Sequence, residues 1–298
     1  MKTSKTIQFF FLSLMTGVIL LSSCKKDEPD MFTSPSQHNA AVKSATPGIA
    51  VASVSNWRED FSTADALALR WTLYGTPQPQ WVSFAGNRFG LFDNNGRLPN
   101  GSYAVSKTKI GNGQGYIIES EVFIDAANPN ATVICPEIGV TRYFNPGAEP
   151  VNVEAGISMR LMYVGDGATS VPPALRKHTY IVMSALLSDR TYATTGNPLE
   201  ATSASKDDYA MKADFAGNGW HKLRIVVSAS SRVSFYLDNQ LVWTPAKAIH
   251  TSLMADKNVL LGFTSPGTTG KAYHDYVKVS YPLQIAEDTT IDPPAPIE

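Results

Sequence analysis

The sequence is short of charge of either sign. Its formal net charge is −1, and 17% of its 298 residues are charged. It has no run of basic residues and no interleaving of aromatic and basic residues, which argues against a polyanion-binding protein and excludes a nucleic-acid partner. Long helical patterns are almost absent, and no fixed-period repeat occurs. The five histidines, His38, His178, His221, His250 and His274, show no i, i+4 zinc spacing. Gly111-Asn112-Gly113-Gln114-Gly115 is glycine-rich but precedes a strand pattern rather than a helix, so it reads as a turn and not as a phosphate cradle. There are two cysteines, Cys24 and Cys135. Cys135 ends the apolar run Ala131-Thr132-Val133-Ile134-Cys135, with no local base or electropositive setting to make it a nucleophile, so it reads as a buried structural thiol.

What is present begins at the N-terminus. Met1-Lys2-Thr3-Ser4-Lys5 is short and positive, and an apolar stretch follows from Ile7 to Leu21. That stretch suits the core of a signal peptide and is short for the ~20 apolar residues of a spanning helix. Leu21-Ser22-Ser23-Cys24 resembles the lipobox of bacterial lipoproteins. The resemblance implies that residues 1–23 are removed and that Cys24 is lipidated, which leaves Cys135 alone and precludes an intrachain disulfide. Lys26-Asp27-Glu28 resembles the short lysine-plus-acids signal that sends Bacteroidetes lipoproteins to the outer face of the outer membrane, although a solvated tether also uses such residues. Acyl chains contribute about 0.8 kcal/mol per buried methylene to membrane anchoring.

Residues 24–55 are rich in Ser, Pro, Ala and Lys without periodicity, and read as the lipidated cysteine followed by a flexible tether. Residues 286–298 are acidic and proline-rich and read as a disordered tail. Between them, residues 56–285 carry short β-type runs separated by Gly, Asn, Asp and Pro. Strands are expected at 115–125, 157–164, 179–187, 221–228, 232–237, 240–243, 258–264 and 273–281. Asp238-Asn239 tolerates positive φ and marks a tight hairpin. A helical turn or two is expected at 61–69 and another at 246–255. Many strands with few helices indicate an all-β sandwich or jelly roll. Val233, Phe235 and Leu237 face its core, while Ser234, Tyr236 and Asp238 face out.

Gly219-Trp220-His221-Lys222-Leu223-Arg224-Ile225, followed by Phe235-Tyr236-Leu237-Asp238, resembles the laminin G-like and concanavalin A-like lectin/glucanase group. Trp57-Arg58-Glu59-Asp60-Phe61 is similar to the opening strand of that group, and Tyr273-His274-Asp275-Tyr276-Val277-Lys278-Val279 to its closing strand. The resemblance implies a jelly-roll β-sandwich of two antiparallel sheets and a glycan as ligand. It also implies a structural Ca²⁺ held through Asp275 with Asp60 or Glu59, a site that needs six to eight oxygen ligands in all.

No enzyme motif of that group is complete. Retaining glucanases of the fold carry paired carboxylates about 5 Å apart. Glu119-Ser120-Glu121 is the nearest match, but Phe123 stands where a third acid would be. The pair is open to three uses: a solvated outer face, ligand binding or catalysis. Arg160 with Tyr163, and His178 with Tyr180, echo jelly-roll alginate lyases without their full motifs. Aromatic residues near turns carry the binding expectation: Trp81, and Tyr143 flanked by Arg142 and Asn145, offer ring faces and polar groups suited to sugars. Trp220 reads as a core anchor. The chain is therefore expected to be a surface lipoprotein with a lectin-like sandwich that captures a polysaccharide or oligosaccharide. A glycoside hydrolase or lyase of the same fold, and an adhesion lipoprotein with a protein partner, are the other readings.

Overall fold

Short runs of alternating apolar residues bury one face each, and two sheets stacked about 10 Å apart accommodate them. The computed structural model describes residues 56–281 apart from 76–77, 85–86, 94–101, 127–131, 146–151, 170, 196–218 and 264–270, and only the backbone at 64, 66, 84, 87–93, 125, 152, 195 and 263. The leader, Cys24, the tether and the acidic tail lie outside the described residues.

The chain runs β1 (Trp57–Glu59), α1 (Ala64–Arg70), β2 (Trp71–Tyr74), β3 (Gln80–Phe84), β4 (Asn87–Asp93), β5 (Ser102–Asn112) and β6 (Tyr116–Asp125). It continues through β7 (Val133–Ile134), β8 (Pro136–Asn145), β9 (Asn152–Val164), β10 (His178–Leu186) and β11 (Tyr192–Thr195). It ends with β12 (Gly219–Val227), β13 (Val233–Leu237), β14 (Gln240–Trp243), β15 (Ala255–Phe263) and β16 (Lys271–Ser280). One sheet, here the front sheet, has the order β11-β10-β9-β8-β15-β5-β2, with β7 beside β9. The back sheet has the order β14-β13-β12-β6-β16-β4-β3, with β1 beside β16. Every pairing is antiparallel. The chain passes repeatedly between the sheets, and the architecture is a jelly-roll-type sandwich of two antiparallel sheets, as the sequence leads one to expect.

The core is built from both inner faces: Tyr116, Ile118, Ile225 and Phe235 from the back sheet, and Ile138, Ile157, Met159 and Leu261 from the front. Val233, Phe235 and Leu237 point inward as expected. Asp238 and Asn239, at φ 50° and 69°, make the primed turn that suits the twist of a hairpin. The helix begins at Ala64 rather than Phe61, and the second expected helical stretch is only a 3-10 turn at Thr251–Leu253.

Trp220 corrects its reading as a core anchor. It pairs with Phe123 on the outer side of the back sheet and packs with Phe123 and Tyr273 in a separate apolar cluster. Strands β2 to β5, β7, β8 and β11 were not anticipated. In β8 the alternation disappears because Pro136 to Thr141 are buried on both faces, so no period-2 pattern marks the strand.

Gly115 shows how tightly strands enter the sandwich. Its φ is +93°, and a Cβ there would lie 2.4 Å from the carbonyl oxygen of Val227. Gly115→Ala is expected to lower stability by about 2–3 kcal/mol, from left-handed strain and a backbone clash together, as read by urea denaturation.

Candidate functional site

The middle of the front sheet is buried on both faces, at Pro136 to Thr141 and Thr179 to Met183, while its margins, such as Lys107 and Arg142, are exposed. On the side away from the core, its register lines up Tyr103 (β5), Gly262 (β15), Glu137 (β8), Arg160 (β9) and Val182 (β10) in one row. Adjacent strands are about 4.8 Å apart, so Tyr103 and Arg160 stand about 14 Å apart. Gly262 puts no side chain between Tyr103 and Glu137, leaving a gap in the floor of the row. The next row contains Val105, Leu260, Gly139, Ser158 and Ser184, with the two serine hydroxyls hydrogen-bonded at 2.9 Å.

The end of strand β8, as far as Asn145, leans over these rows. Register shifts at Val140–Thr141 and Thr141–Tyr143 bend it. The ring of Phe144 reaches that of Tyr74 on β2, 5.6 Å away, although β15 and β5 lie between the two strands in the sheet. Phe144 thus overhangs part of the outer face of the front sheet, and the stretch of that face beside it is the candidate groove.

Glu137 is the electrostatic centre of this groove. It is 2% exposed, its Oε1 lies 3.7 Å from Arg160 Nε, and its Oε2 has no hydrogen-bond partner among the described residues. Burial pushes the Tyr103 phenol up to about 12, and the charge of Glu137 adds to the rise while Arg160 opposes it. Burial likewise pushes the Cys135 thiol up to about 12, with Arg160 opposing and Glu137 adding. At that value Cys135 stays a thiol at neutral pH and takes the structural role expected of it. A single carboxylate within an apolar run, as in Cys135-Pro136-Glu137-Ile138, was the available sequence signal for this site.

The expected sugar-contacting residues divide. Tyr143 (47% exposed) and Arg142 lie on the overhanging end of β8, where Arg142 pairs with Glu154 at 3.0 Å. Asn145 ends β8 opposite Asn152 and is half-buried. Trp81 is remote from them on the back sheet. Its indole N–H donates to Phe61 O at 2.7 Å and its ring packs on the core, a structural use of the side chain.

Glu119 and Glu121 lie on the outer side of the back sheet, not in the groove. Glu119 accepts a hydrogen bond from Tyr276 Oη at 2.7 Å and lies within 4.0 Å of Lys222 and 3.9 Å of Arg224. Arg58 covers the Tyr276 ring at 4.1 Å. This is a ladder of alternating charges across neighbouring strands, the kind of pairing that stabilises an exposed sheet face.

Of the expected calcium ligands, Glu59 does not fit. It is fully buried, with Oε1 accepting Phe61 N–H at 2.8 Å and Oε2 paired with Arg70 at 3.2 Å. Asp60 and Asp275 are near enough for their charges to interact. Burial raises the Asp275 carboxyl above its ordinary value, Arg58 opposes the rise and Asp60 adds to it. Among the described residues no group of three or more His, Cys, Asp or Glu side chains is placed to hold a metal.

No protein-family model and no curated protein sequence matches the chain. Solved structures are similar in outline. A glycoside hydrolase family 16 endo-glucanase from Bacteroides ovatus is 12% identical, with a TM-score of 0.44, over 75% of this chain and 99% of that one. A Bacillus licheniformis beta-glucanase is 10% identical, with a TM-score of 0.43, over 76% and 99%. A carbohydrate esterase from the Shiga toxin-encoding bacteriophage phi24B is 13% identical, with a TM-score of 0.45, over 76% and 96%. The likeness is one of fold and transfers no site residue.

Proposed function

We propose that the protein is a surface lipoprotein that binds glycan in the groove of the front sheet. The observation that carries this reading is the unpartnered, buried Oε2 of Glu137 in the row Tyr103–Gly262–Glu137–Arg160. An unsatisfied buried carboxylate oxygen is costly in a native structure. A sugar hydroxyl entering above Gly262 supplies the missing donor. Arg160 donates to neighbouring sugar oxygens, and Tyr103 and Tyr143 offer ring faces to C–H groups. Hydrolysis with two carboxylates needs a second one about 5–9.5 Å away, and the described part of this row holds only Glu137. Binding without cleavage is therefore the reading. Cys24, as a lipidated N-terminus, holds the domain at the outer membrane through the tether.

A glycan-array and polysaccharide-affinity screen with product analysis tests this. Saturable binding without new reducing or unsaturated ends is the expected outcome. Cleavage products would replace the reading with an enzymatic one, and no binding across the panel would overturn it.

A structural Ca²⁺ between Asp60 and Asp275 belongs to the same proposal, with backbone carbonyls and water completing the oxygen shell. Calcium at 100-fold over its Kd is expected to stabilise the protein by about 2.7 kcal/mol. Differential scanning calorimetry reads this as a rise in Tm that Asp275→Asn removes; an equal rise in the variant would place the ion elsewhere.

A further inference from the structure

At the Leu186 end of β10 lies a depression of about 210 Å³ lined by Arg142, Leu186, Arg190, His250 and Ser252. Leu186 shares the groove face with Val182 and Ser184 on β10, four residues or about 13 Å beyond the Glu137 row. Backbone hydrogen bonds tie its walls together: Ser188 N–H donates to Ala248 O at 2.9 Å and His250 N–H to Leu186 O at 2.9 Å. We infer that this depression is a subsite for an anionic substituent, a carboxylate or sulfate ester, on the bound glycan. The inference rests on the glycan reading above.

Three observations converge on it. Arg190 makes no side-chain hydrogen bond or ion pair among the described residues, unlike Arg142, which pairs with Glu154, and Lys247, which pairs with Asp189 at 2.8 Å. The two nearby carboxylates are thus each matched by a cation, and Arg190 is the charge left over. Second, Arg190 sits at φ 67° in the turn joining β10 to β11, closed by Arg190 N–H donating to Leu187 O at 2.9 Å. Glycine or asparagine fills such a left-handed position without strain. A long cationic side chain held there at a conformational penalty points to use of that side chain. Third, the ring tautomer of His250 is set by its neighbour. Ser252 N–H can only donate, and it donates to Nδ1 at 3.2 Å, so the ring proton resides on Nε2. That N–H is a donor for an oxyanion beside the Arg190 guanidinium. The near-zero net charge of the whole chain fits one anionic group at one place and not a polyanion track.

The test uses full-length protein in detergent and titration calorimetry with matched oligosaccharides. Oligogalacturonate is compared with its methyl ester, and a sulfated galactan oligosaccharide with its desulfated form. The charged member of at least one pair is expected to bind at least 10-fold tighter, which identifies carboxylate or sulfate as the group. Arg190→Gly is expected to remove that advantage and leave Tm unchanged or higher, so loss of binding is not loss of fold. Equal binding within both pairs, or an advantage that survives Arg190→Gly, overturns the inference while the glycan reading stands. If no oligosaccharide binds, inorganic sulfate is titrated while the His250 ring is followed by NMR. A saturable shift absent in Arg190→Gly keeps the anion subsite and discards the glycan reading. No shift discards both.

Discussion

Glu137→Gln is expected to weaken glycan binding about 10-fold or more while leaving Tm unchanged or a few degrees higher. The two effects have one cause. Glu137 is nine-tenths buried or more, its nearest cation is 3.7 Å away, and one of its oxygens has no partner among the described residues. Removing a carboxylate from water without complete hydrogen bonding costs several kcal/mol, and a neutral side chain of the same shape avoids most of that. Binding moves the other way, because a hydrogen bond to a charged acceptor contributes about 1.5–3 kcal/mol, or one to two decades in Kd. Arg160, the partner left behind, has its Nε buried but keeps 24% of its side chain in water, which limits the cost of losing the Glu137 charge. Titration calorimetry and thermal melts of one preparation read both quantities. A drop in Tm with unchanged affinity would make Glu137 a structural partner of Arg160, and the groove would lose its centre.

A side chain that opposes stability at its own position is the usual mark of a functional site. Arg190 has the same character. A cation at φ 67° carries a left-handed penalty of about 1–2 kcal/mol that glycine does not. Glu137 lies on the outer face of the front sheet and Arg190 in the turn that joins two of its strands. On the back sheet the charges pair with one another: Glu119 with Tyr276, Lys222 and Arg224, and Arg58 with the Tyr276 ring.

The back sheet was largely legible because its strands have one wet face. Val233, Phe235 and Leu237 alternate with Ser234 and Tyr236, and the Asp238-Asn239 turn fixes their register. The front sheet was harder. In its middle, Pro136 to Thr141 and Tyr180 to Met183 are buried throughout and show no alternation. The groove itself was not visible in the sequence. Tyr103, Glu137 and Arg160 become neighbours only through the order β5-β15-β8-β9, and strand order is a long-range property that no local pattern encodes. Glu59 failed as a calcium ligand for a similar reason. Its position before Asp60 in a first strand was visible, but its burial behind Phe61 and Arg70 was not.

The back sheet also sets the acid limit of the fold through His274. This residue is fully buried between the sheets, where Ser120 Oγ donates to Tyr276 O at 2.7 Å. That leaves Ser120 Oγ to accept from His274 Nδ1 at 2.9 Å, so the ring is held as the neutral Nδ1–H tautomer. Burial lowers the His274 pKa to about 3, against an ordinary value near 6.5. Because the folded value lies below the unfolded one, the unfolded chain takes up a proton first as pH falls. The contribution is fully present above about pH 6.5 and is lost progressively down to about pH 3. Between pH 7 and pH 4 the loss is about 3 kcal/mol, at 1.36 kcal/mol per unit. Urea denaturation across that range measures it, with His274→Asn as the comparison. The variant is expected to be less stable at pH 7 through lost packing, and to show a pH slope flatter by about one proton between pH 6 and 4. An unchanged slope would mean that His274 titrates as an ordinary histidine in the folded chain, and that the carboxylates alone govern acid unfolding.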